Sequence, residues 1–491
     1  MNYILAIDQG TSSTRAMIYT LQGDLIANSQ YPLTQYYPNS GWVEHDPEEI
    51  WQKTLNAMRD VVSQVQGKAI LCCGLTNQRE TTLIWNKKTG ECLAPAIVWQ
   101  DRRTEEFCYS LSEYSSMIQE KTGLLPDPYF SASKLNWLLK NNAQAQSLIN
   151  QGDLVFGTID SFLIWRMTKG ASHATDITNA SRTMLFNIHD EKWDKQLLEL
   201  FSISESVLPA VYSSDNHFGV IDKEWLGVEI PITGVAGDQQ AALIGQGCFN
   251  GGMVKATFGT GGFLLLNTGD KPVFSKHKLL TTIAYKIKEK TVYGLEGSIY
   301  HAGTTVKWLR DEMKLISHSA ETEVLARSLD SNNGVYLVSS FTGLGAPHWL
   351  SITGTAIIGV SRSTNRAHFA RAALEGVCYQ TRDVLTCMRD DSQLDLTLLR
   401  ADGGMAVNQW FLQFMADQCQ LTIQKPKDIE TTAKGAAVLA AIGSGLFDSV
   451  SSVNKIWDVE NEFQPFRERE VVEKDFRGWL EALSMVKARH A

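Results

Sequence analysis

Tyr3-Ile-Leu-Ala-Ile-Asp-Gln-Gly-Thr-Ser-Ser-Thr-Arg-Ala-Met-Ile-Tyr19 is the stretch from which the fold can be read. Tyr3–Ile7 is apolar, Asp8–Arg15 is small and polar, and Ala16–Tyr19 is apolar again. That pattern predicts strand, turn, strand. The plan returns in the second half as Lys255-Ala-Thr-Phe-Gly-Thr-Gly-Gly-Phe-Leu-Leu-Leu266. A Gly-Thr turn between strands offers consecutive N–H groups and a hydroxyl, which can cradle phosphate oxygens. Gly, Ser and Thr are also ordinary hairpin residues, so one such turn alone reads as a plain hairpin. Two of them, with Asp402-Gly403-Gly404 after the apolar-rich Leu396–Ala401, point to a bound nucleotide. No Gly-x-x-x-x-Gly-Lys-Ser/Thr loop is present, so the site is not a P-loop. The first turn adds Arg15 and Asp8. Magnesium takes one or two carboxylates plus substrate phosphates, so Asp8 is a candidate to hold it through water.

Outward from that opening, strands alternate with helices. Asp46-Pro-Glu-Glu49 starts a helix, with Asp46 as cap, Pro47 in the first position and Glu49 completing a capping-box-like pattern. Ile50, Trp51, Leu55, Met58, Val61 and Val62 form its buried stripe. A strand follows at Ala69–Leu75, and a second-half helix runs through Phe369, Ala373, Val377 and Val384, led by Ser363-Thr364-Asn365. The alternation predicts an α/β layer architecture. The weak repeat predicts two similar lobes with a cleft between them, joined at the glycine-dense Gly245–Gly252.

The 491 residues suggest two or three domains and can bury large cores without disulfide or metal staples. With 45 basic and 54 acidic residues the formal charge is −9, and no basic run exists. Duplex nucleic acid is therefore not expected as a partner. The eight Cys are scattered and form no Cys-x-x-Cys, which reads as reduced thiols in a cytoplasmic protein. No His-Glu-x-x-His occurs, so zinc has little support. Tyr3–Ile7 reads as a first strand, not a signal peptide, and Gly435–Phe447 is too short to insert in a membrane.

Two groups have the right chemistry for phosphoryl transfer. Asp238, in Gly237-Asp-Gln-Gln after the mostly apolar Ile232–Ala236, could accept a proton from an attacking hydroxyl. It could equally cap a helix over Gln239–Gly245. Arg79 and Glu80 could bracket a polyol, with Arg donating to hydroxyl oxygens and Glu accepting from hydroxyl hydrogens. They could also be a solvated loop pair.

Asp8-Gln-Gly-Thr-Ser-Ser-Thr-Arg15 resembles the opening phosphate turn of the FGGY carbohydrate kinases, within the actin-like ATPase superfamily. Gly41–Pro47, Thr76–Thr82, Ile97–Gln100, Tyr129–Trp137, Thr175–Ile188, Gly237–Leu243, Trp308–Leu315 and Phe341–Pro347 are similar to the members that phosphorylate glycerol. The likeness runs from residue 3 to about 480. It implies two actin/hexokinase-like (ribonuclease H-like) lobes. Residues 1–246 would carry the glycerol pocket and base, and residues 247–491 the adenine nucleotide. The implied reaction is ATP-dependent phosphorylation of glycerol to sn-glycerol 3-phosphate, with Mg2+, in a cytoplasmic homodimer or homotetramer. Asp238 becomes the catalytic base. Arg79, Glu80, Trp99, Tyr129, Asp238, Gln239 and Phe263 become the glycerol contacts. Thr11, Ser12, Ser13, Arg15, Thr260, Gly261, Gly303, Lys307, Gly404 and Asn408 become nucleotide contacts, with Gly303 opening a helix whose free N–H groups face a phosphate. Asp8 and Asp238 become the magnesium carboxylates, acting through water.

The chain also departs from that pattern. Lys307 stands where Gln is common, and Lys434 where an apolar residue is usual. Trp349-Leu-Ser-Ile-Thr-Gly354 lacks an acid and an Arg found in the family loop. Two other readings stay open: a family kinase for another polyol or ketose, and an actin-like nucleotide switch without a metabolite substrate.

Overall fold

The computed structural model describes residues 2–65, 69–350, 354–450, 452 and 457–488. The first half is built on β1 (Tyr3–Gln9), β2 (Ser13–Thr20), β3 (Leu25–Pro32), helix α1 (Pro47–Ser63), β4 (Ile70–Asn77), α2 (Ser131–Asn141), α3 (Ile177–Ala180), β5 (Gly219–Ile221), β6 (Ile230–Gly237) and α4 (Asp238–Gly245). Its six strands lie in the order β5-β6-β4-β1-β2-β3. β1 is antiparallel to β2 and parallel to β4, and β4 is parallel to β6. The polar run Asp8–Arg15 is shorter as a turn than its composition suggests. Strand pairing extends to Asp8 opposite Arg15 and Gln9 opposite Thr14, leaving only Gly10–Ser12 outside the strands.

The apolar stripe of α1 packs on Leu5, Ile7, Ile18 and Leu75 in one core. Each large side chain buried there contributes ~1.5–3 kcal/mol. Asp46 caps α1 by accepting from the Glu48 N–H. The expected reciprocal bond from Glu49 is absent. Its carboxylate instead accepts from the backbone and hydroxyl of Thr34 and from Lys53.

The second half repeats the plan with β7 (Met253–Phe258), β8 (Gly262–Gly269), β9 (Leu280–Ile287), β10 (Lys290–Ile299), α5 (Gly303–Asp311), α6 (Arg366–Ser392), β11 (Leu398–Asp402), α7 (Gln409–Cys419), β12 (Ile423–Pro426), α8 (Thr431–Gly443) and β13 (Val459–Phe463). The strand order is β9-β10-β8-β7-β11-β12-β13. β7 is antiparallel to β8 and parallel to β11, as β1 is to β2 and β4. The repeat is thus a repeat of topology, and the fold is two-lobed α/β.

Helix α8 belongs to the second half by sequence yet covers the first sheet. Ala433, Ala437, Ala440 and Ala441 pack on Ile4, Ala6, Met17, Tyr19 and Cys72. Val438, Leu439 and Ile442 join Ala241, Leu243 and Ile244 of α4 and Met253 and Leu265 of the second sheet. Only glycines allow so close an approach. A Cβ on Gly74 would lie 2.0 Å from the Ala436 carbonyl oxygen, and one on Gly435 1.8 Å from that of Ala241.

Candidate active site

The candidate residues meet at the carboxyl ends of parallel strands, where open α/β sheets bind ligands. Gly237 of β6 is in register with Asn77 of β4, and Thr76 with Asp8 of β1. Asp238 therefore begins α4 beside Gln78-Arg79-Glu80, with Asp8 one strand away. The cap position falls on Gly237, so Asp238 is the first helical residue and not the cap. The Gly237 N–H is held by the Thr178 hydroxyl at 2.9 Å.

Arg79 and Glu80 are buried, 3% and 1% exposed, which removes the solvated-loop reading. Arg79 Nε lies 3.2 Å from Asp238 Oδ1, and Nη1 lies 2.5 Å from Glu296 Oε2 and 3.2 Å from Gln240 Oε1. Arg182 donates from Nε to Glu80 Oε1 at 2.6 Å and from Nη2 to Glu296 Oε1 at 2.8 Å. Two guanidiniums thus face two carboxylates. Burial opposes the charge on Glu296, but Arg182 and Arg79 outweigh it and hold its carboxyl down at about 2. Burial pushes Glu80 up, and the same two arginines only partly offset it. Glu80 is held at φ 60, and its carbonyl accepts from the Thr82 and Ser131 hydroxyls at 2.9 and 3.1 Å. A non-glycine residue in that region is strained and persists where its surroundings over-determine it.

Three aromatic rings stand beside this pair. Trp99 lies 5.6 Å from Tyr129 and 6.0 Å from Phe263, centroid to centroid. The Tyr129 hydroxyl accepts from Arg79 Nη2 at 3.4 Å, and Trp99 Nε1 donates to Thr11 Oγ1 at 2.8 Å. Gln239 is anchored by Lys255, whose Nζ donates to its Oε1 and to the Phe263 carbonyl. Burial lowers Lys255 to about 8 against the pull of Asp402, Asp238 and Glu296.

The two Gly-Thr turns are each closed by a backbone bond, of different span. The first closes with Gly10 N–H to the Ser13 carbonyl at 2.9 Å, the second with Gly259 N–H to the Gly261 carbonyl at 2.9 Å. Among the described residues, the amides of Thr11, Ser12, Thr260 and Gly261 donate to nothing, so four N–H groups are unspent. Ser13 Oγ accepts from Gln30, which leaves its O–H to donate, and Arg15 pairs with Glu430 at 2.5 Å.

The start of α5 departs from expectation. Gly303 N–H donates to the Gly259 carbonyl at 2.9 Å, and Ala302 and Thr304 N–H both donate to Thr260 at 3.1 Å. These groups brace the second turn and are not free for phosphate. A Cβ on Gly303 would sit 2.5 Å from the Gly259 carbonyl oxygen, so glycine is needed for this docking. Lys307 is exposed on α5. Gly404 has nothing within 4 Å of a built Cβ. Asn408 caps α7 through the Phe411 N–H and donates to Thr322 at 3.4 Å, so the capping reading accounts for its side chain. Trp349 anchors its loop through Nε1 to the Lys278 carbonyl, but residues 351–353 of the altered loop lie outside the described residues. Lys434 is 7% exposed, 3.8 Å from Asp428, and burial lowers its pKa.

Burial raises Asp8 to about 7, with Asp238 and Glu430 adding to the rise and Arg15 opposing it. A buried carboxyl raised partly by a second carboxylate, as Asp8 is by Asp238, suits a divalent cation between them. Sequence reasoning missed Arg182, Glu296, Lys255 and Thr178. The first and last lie inside Thr175–Ile188. Glu296 and Lys255 were visible as single charges in apolar runs.

The chain is similar to known proteins over nearly its whole length. The N-terminal domain of the FGGY family of carbohydrate kinases matches residues 3–245, and the C-terminal domain of that family matches residues 254–444. A glycerol kinase of Marinomonas sp. (strain MWYL1) is 49% identical over 492 residues, spanning 99% of each chain. The crystal structure of Plasmodium falciparum glycerol kinase with ADP superimposes with a TM-score of 0.93 at 39% identity, covering 99% of this chain and 98% of that one. A xylulose kinase from Lactobacillus acidophilus shares the fold at a TM-score of 0.89 and 21% identity, over 99% of each chain.

Proposed function

We infer the reaction from a chain that belongs, in both halves, to the FGGY family of carbohydrate kinases. It phosphorylates glycerol with ATP, giving sn-glycerol 3-phosphate and ADP in glycerol catabolism; full-length relatives named glycerol kinase, one of them solved with ADP, support the reading. The observation that carries the reading is the buried Arg79–Glu80 pair beside Asp238 and the Trp99–Tyr129–Phe263 rings. Such a pocket has a charged grip for hydroxyls and aromatic faces for a short carbon chain.

In this reading Arg79 and Glu80 hold two glycerol hydroxyls, and Asp238 takes the proton of the third as it attacks the γ-phosphorus. The unspent amides at Thr11–Ser12 and Thr260–Gly261 receive phosphate oxygens, and Gly404 leaves room for the nucleoside. Asp8 and Asp238 would hold magnesium through water, and the bound ion supplies charge neutralisation to the transferring phosphoryl group. The eight unpaired thiols support a cytoplasmic setting. Assembly as a homodimer or homotetramer follows from the family likeness alone.

A coupled assay of ADP release, run with glycerol, longer polyols and pentuloses, tests the proposal. Glycerol should give the highest kcat/KM, with release abolished by EDTA and restored by Mg2+. Higher kcat/KM for a pentulose would move the chain to another branch of the family, and substrate-independent ADP release would favour the nucleotide switch.

A further inference from the structure

We propose that Arg182 and Glu296 are positioning residues that set the geometry of the polyol grip and tie it to the second lobe. The inference rests on the reading of Arg79 and Glu80 as glycerol contacts. Neither Arg182 nor Glu296 is itself placed against the substrate.

Most donors and acceptors around the grip are already spent. Glu80 Oε1 accepts from Arg182 Nε at 2.6 Å, which turns Oε2 toward whatever else enters the site. Arg79 spends Nε on Asp238 and Nη1 on Glu296 and Gln240. Its Nη2 has only the long 3.4 Å contact with the Tyr129 hydroxyl. Of the Arg79–Glu80 pair, one carboxylate oxygen and one guanidinium nitrogen are therefore left for a small polyol, which is the number a vicinal pair of hydroxyls needs; Arg182 Nη1 is also buried without a partner. Arg182 makes this allocation possible. It is fully buried, it lies over the Tyr129 and Phe130 rings at 5.5 and 5.3 Å, and both its carboxylate partners belong to the network. Glu296 closes the circuit from the other lobe. It sits on β10, opposite Leu265 of β8, and accepts from both first-half arginines. The four charges sum to zero, so removing one leaves its partner buried and unmatched.

A buried quartet could also serve stability alone, and the two roles differ in what they do to substrate discrimination. A positioning role affects glycerol more than an analogue lacking one gripped hydroxyl, because only glycerol uses both free atoms. A structural role lowers both substrates alike. The test is steady-state kinetics with glycerol and propane-1,2-diol in Arg182→Lys and Glu296→Gln, with Glu80→Gln alongside. Lys keeps the charge but cannot reach both carboxylates, and Gln keeps the volume; either variant suffices if the other fails to fold. The expected result is a glycerol KM raised about tenfold or more, a kcat changed much less and an unchanged KM for ATP. The glycerol-to-diol ratio of kcat/KM should shrink about tenfold. An unaltered ratio in Arg182→Lys and Glu296→Gln, beside a collapsed ratio in Glu80→Gln, would overturn the proposal alone. An unaltered ratio in Glu80→Gln would overturn the grip and the proposal with it.

Discussion

Gly435→Ala should disturb the site through the packing of α8 on α4. Gly435 sits in α8 where that helix crosses α4, and Gly245 faces it from α4. A methyl group there would lie 1.8 Å from the Ala241 carbonyl oxygen and 2.9 Å from the Gly245 nitrogen. The first distance is about 1.6 Å short of the 3.4 Å at which ordinary contact begins. Both obstacles are backbone, so no side chain can swing away and the helices must part. Alanine is the better helix former by about 1 kcal/mol, which works in favour of the variant. Overpacking of this kind costs ~1–3 kcal/mol and more where backbone must move. Because the obstacles are backbone, the cost falls at the top of that range, and the net expectation is a loss of roughly 2 kcal/mol or more. Catalysis should suffer further, because Asp238 is the first residue of α4, and a displacement of about 1 Å can lower turnover on the order of 10²-fold. The assay is the urea midpoint by tryptophan fluorescence, with kcat at saturating glycerol and ATP. Gly404→Ala, with nothing within 4 Å, is the control and should keep a midpoint near wild type. A Gly435→Ala protein with unchanged midpoint and unchanged kcat would refute the idea that α8 sets the position of α4.

Asp238→Asn keeps the shape of the site and removes the base, so kcat should fall ~10²–10⁴-fold while glycerol affinity, measured by calorimetry, largely survives; near-normal turnover would exclude the role. Propane-1,2-diol and propane-1,3-diol should be poor substrates for the wild type, because a buried Arg79 or Glu80 left unpaired costs ~1–3 kcal/mol, and equal kcat/KM for 1,3-diol and glycerol would contradict the pocket. Asp176 caps α3 and is raised to about 7, chiefly by burial. A folded pKa above the unfolded value adds stability that is full below the ordinary carboxyl value of 3.8 and is lost as pH rises through about 7. Asp176→Asn lacks this term, so its deficit in unfolding midpoint against wild type should shrink between pH 4 and pH 8, and a pH-independent deficit would count against it.

Much of the fold was legible because it is local. Tyr3–Tyr19 and Lys255–Leu266 announce their own strands and turns, and the pairing of β1 with β2 and of β7 with β8 follows from adjacency. The burial of Arg79 and Glu80 was not legible, since a charged dipeptide looks the same in a loop or in a core. What buries them comes from Glu296, 217 residues from Arg79 and 114 from Arg182. The reading of α5 failed for a similar reason. Gly303 does open a helix, but carbonyls of Gly259 and Thr260 take the N–H groups that composition alone left free. Glu49 had a nearer competitor in Lys53, four residues along its own helix. The role of α8 was hidden because only the backbone of α4, far earlier in the chain, explains why nothing larger than glycine fits at Gly435.

The central claim is transfer of the γ-phosphoryl group of ATP to a terminal hydroxyl of glycerol. Phosphorus NMR of the purified protein with glycerol, ATP and Mg2+ tests it most directly. The account predicts a single phosphomonoester, on a primary hydroxyl of glycerol, formed mole for mole with ADP. Inorganic phosphate in place of that ester, or ADP formed without any phosphorylated glycerol, would contradict it.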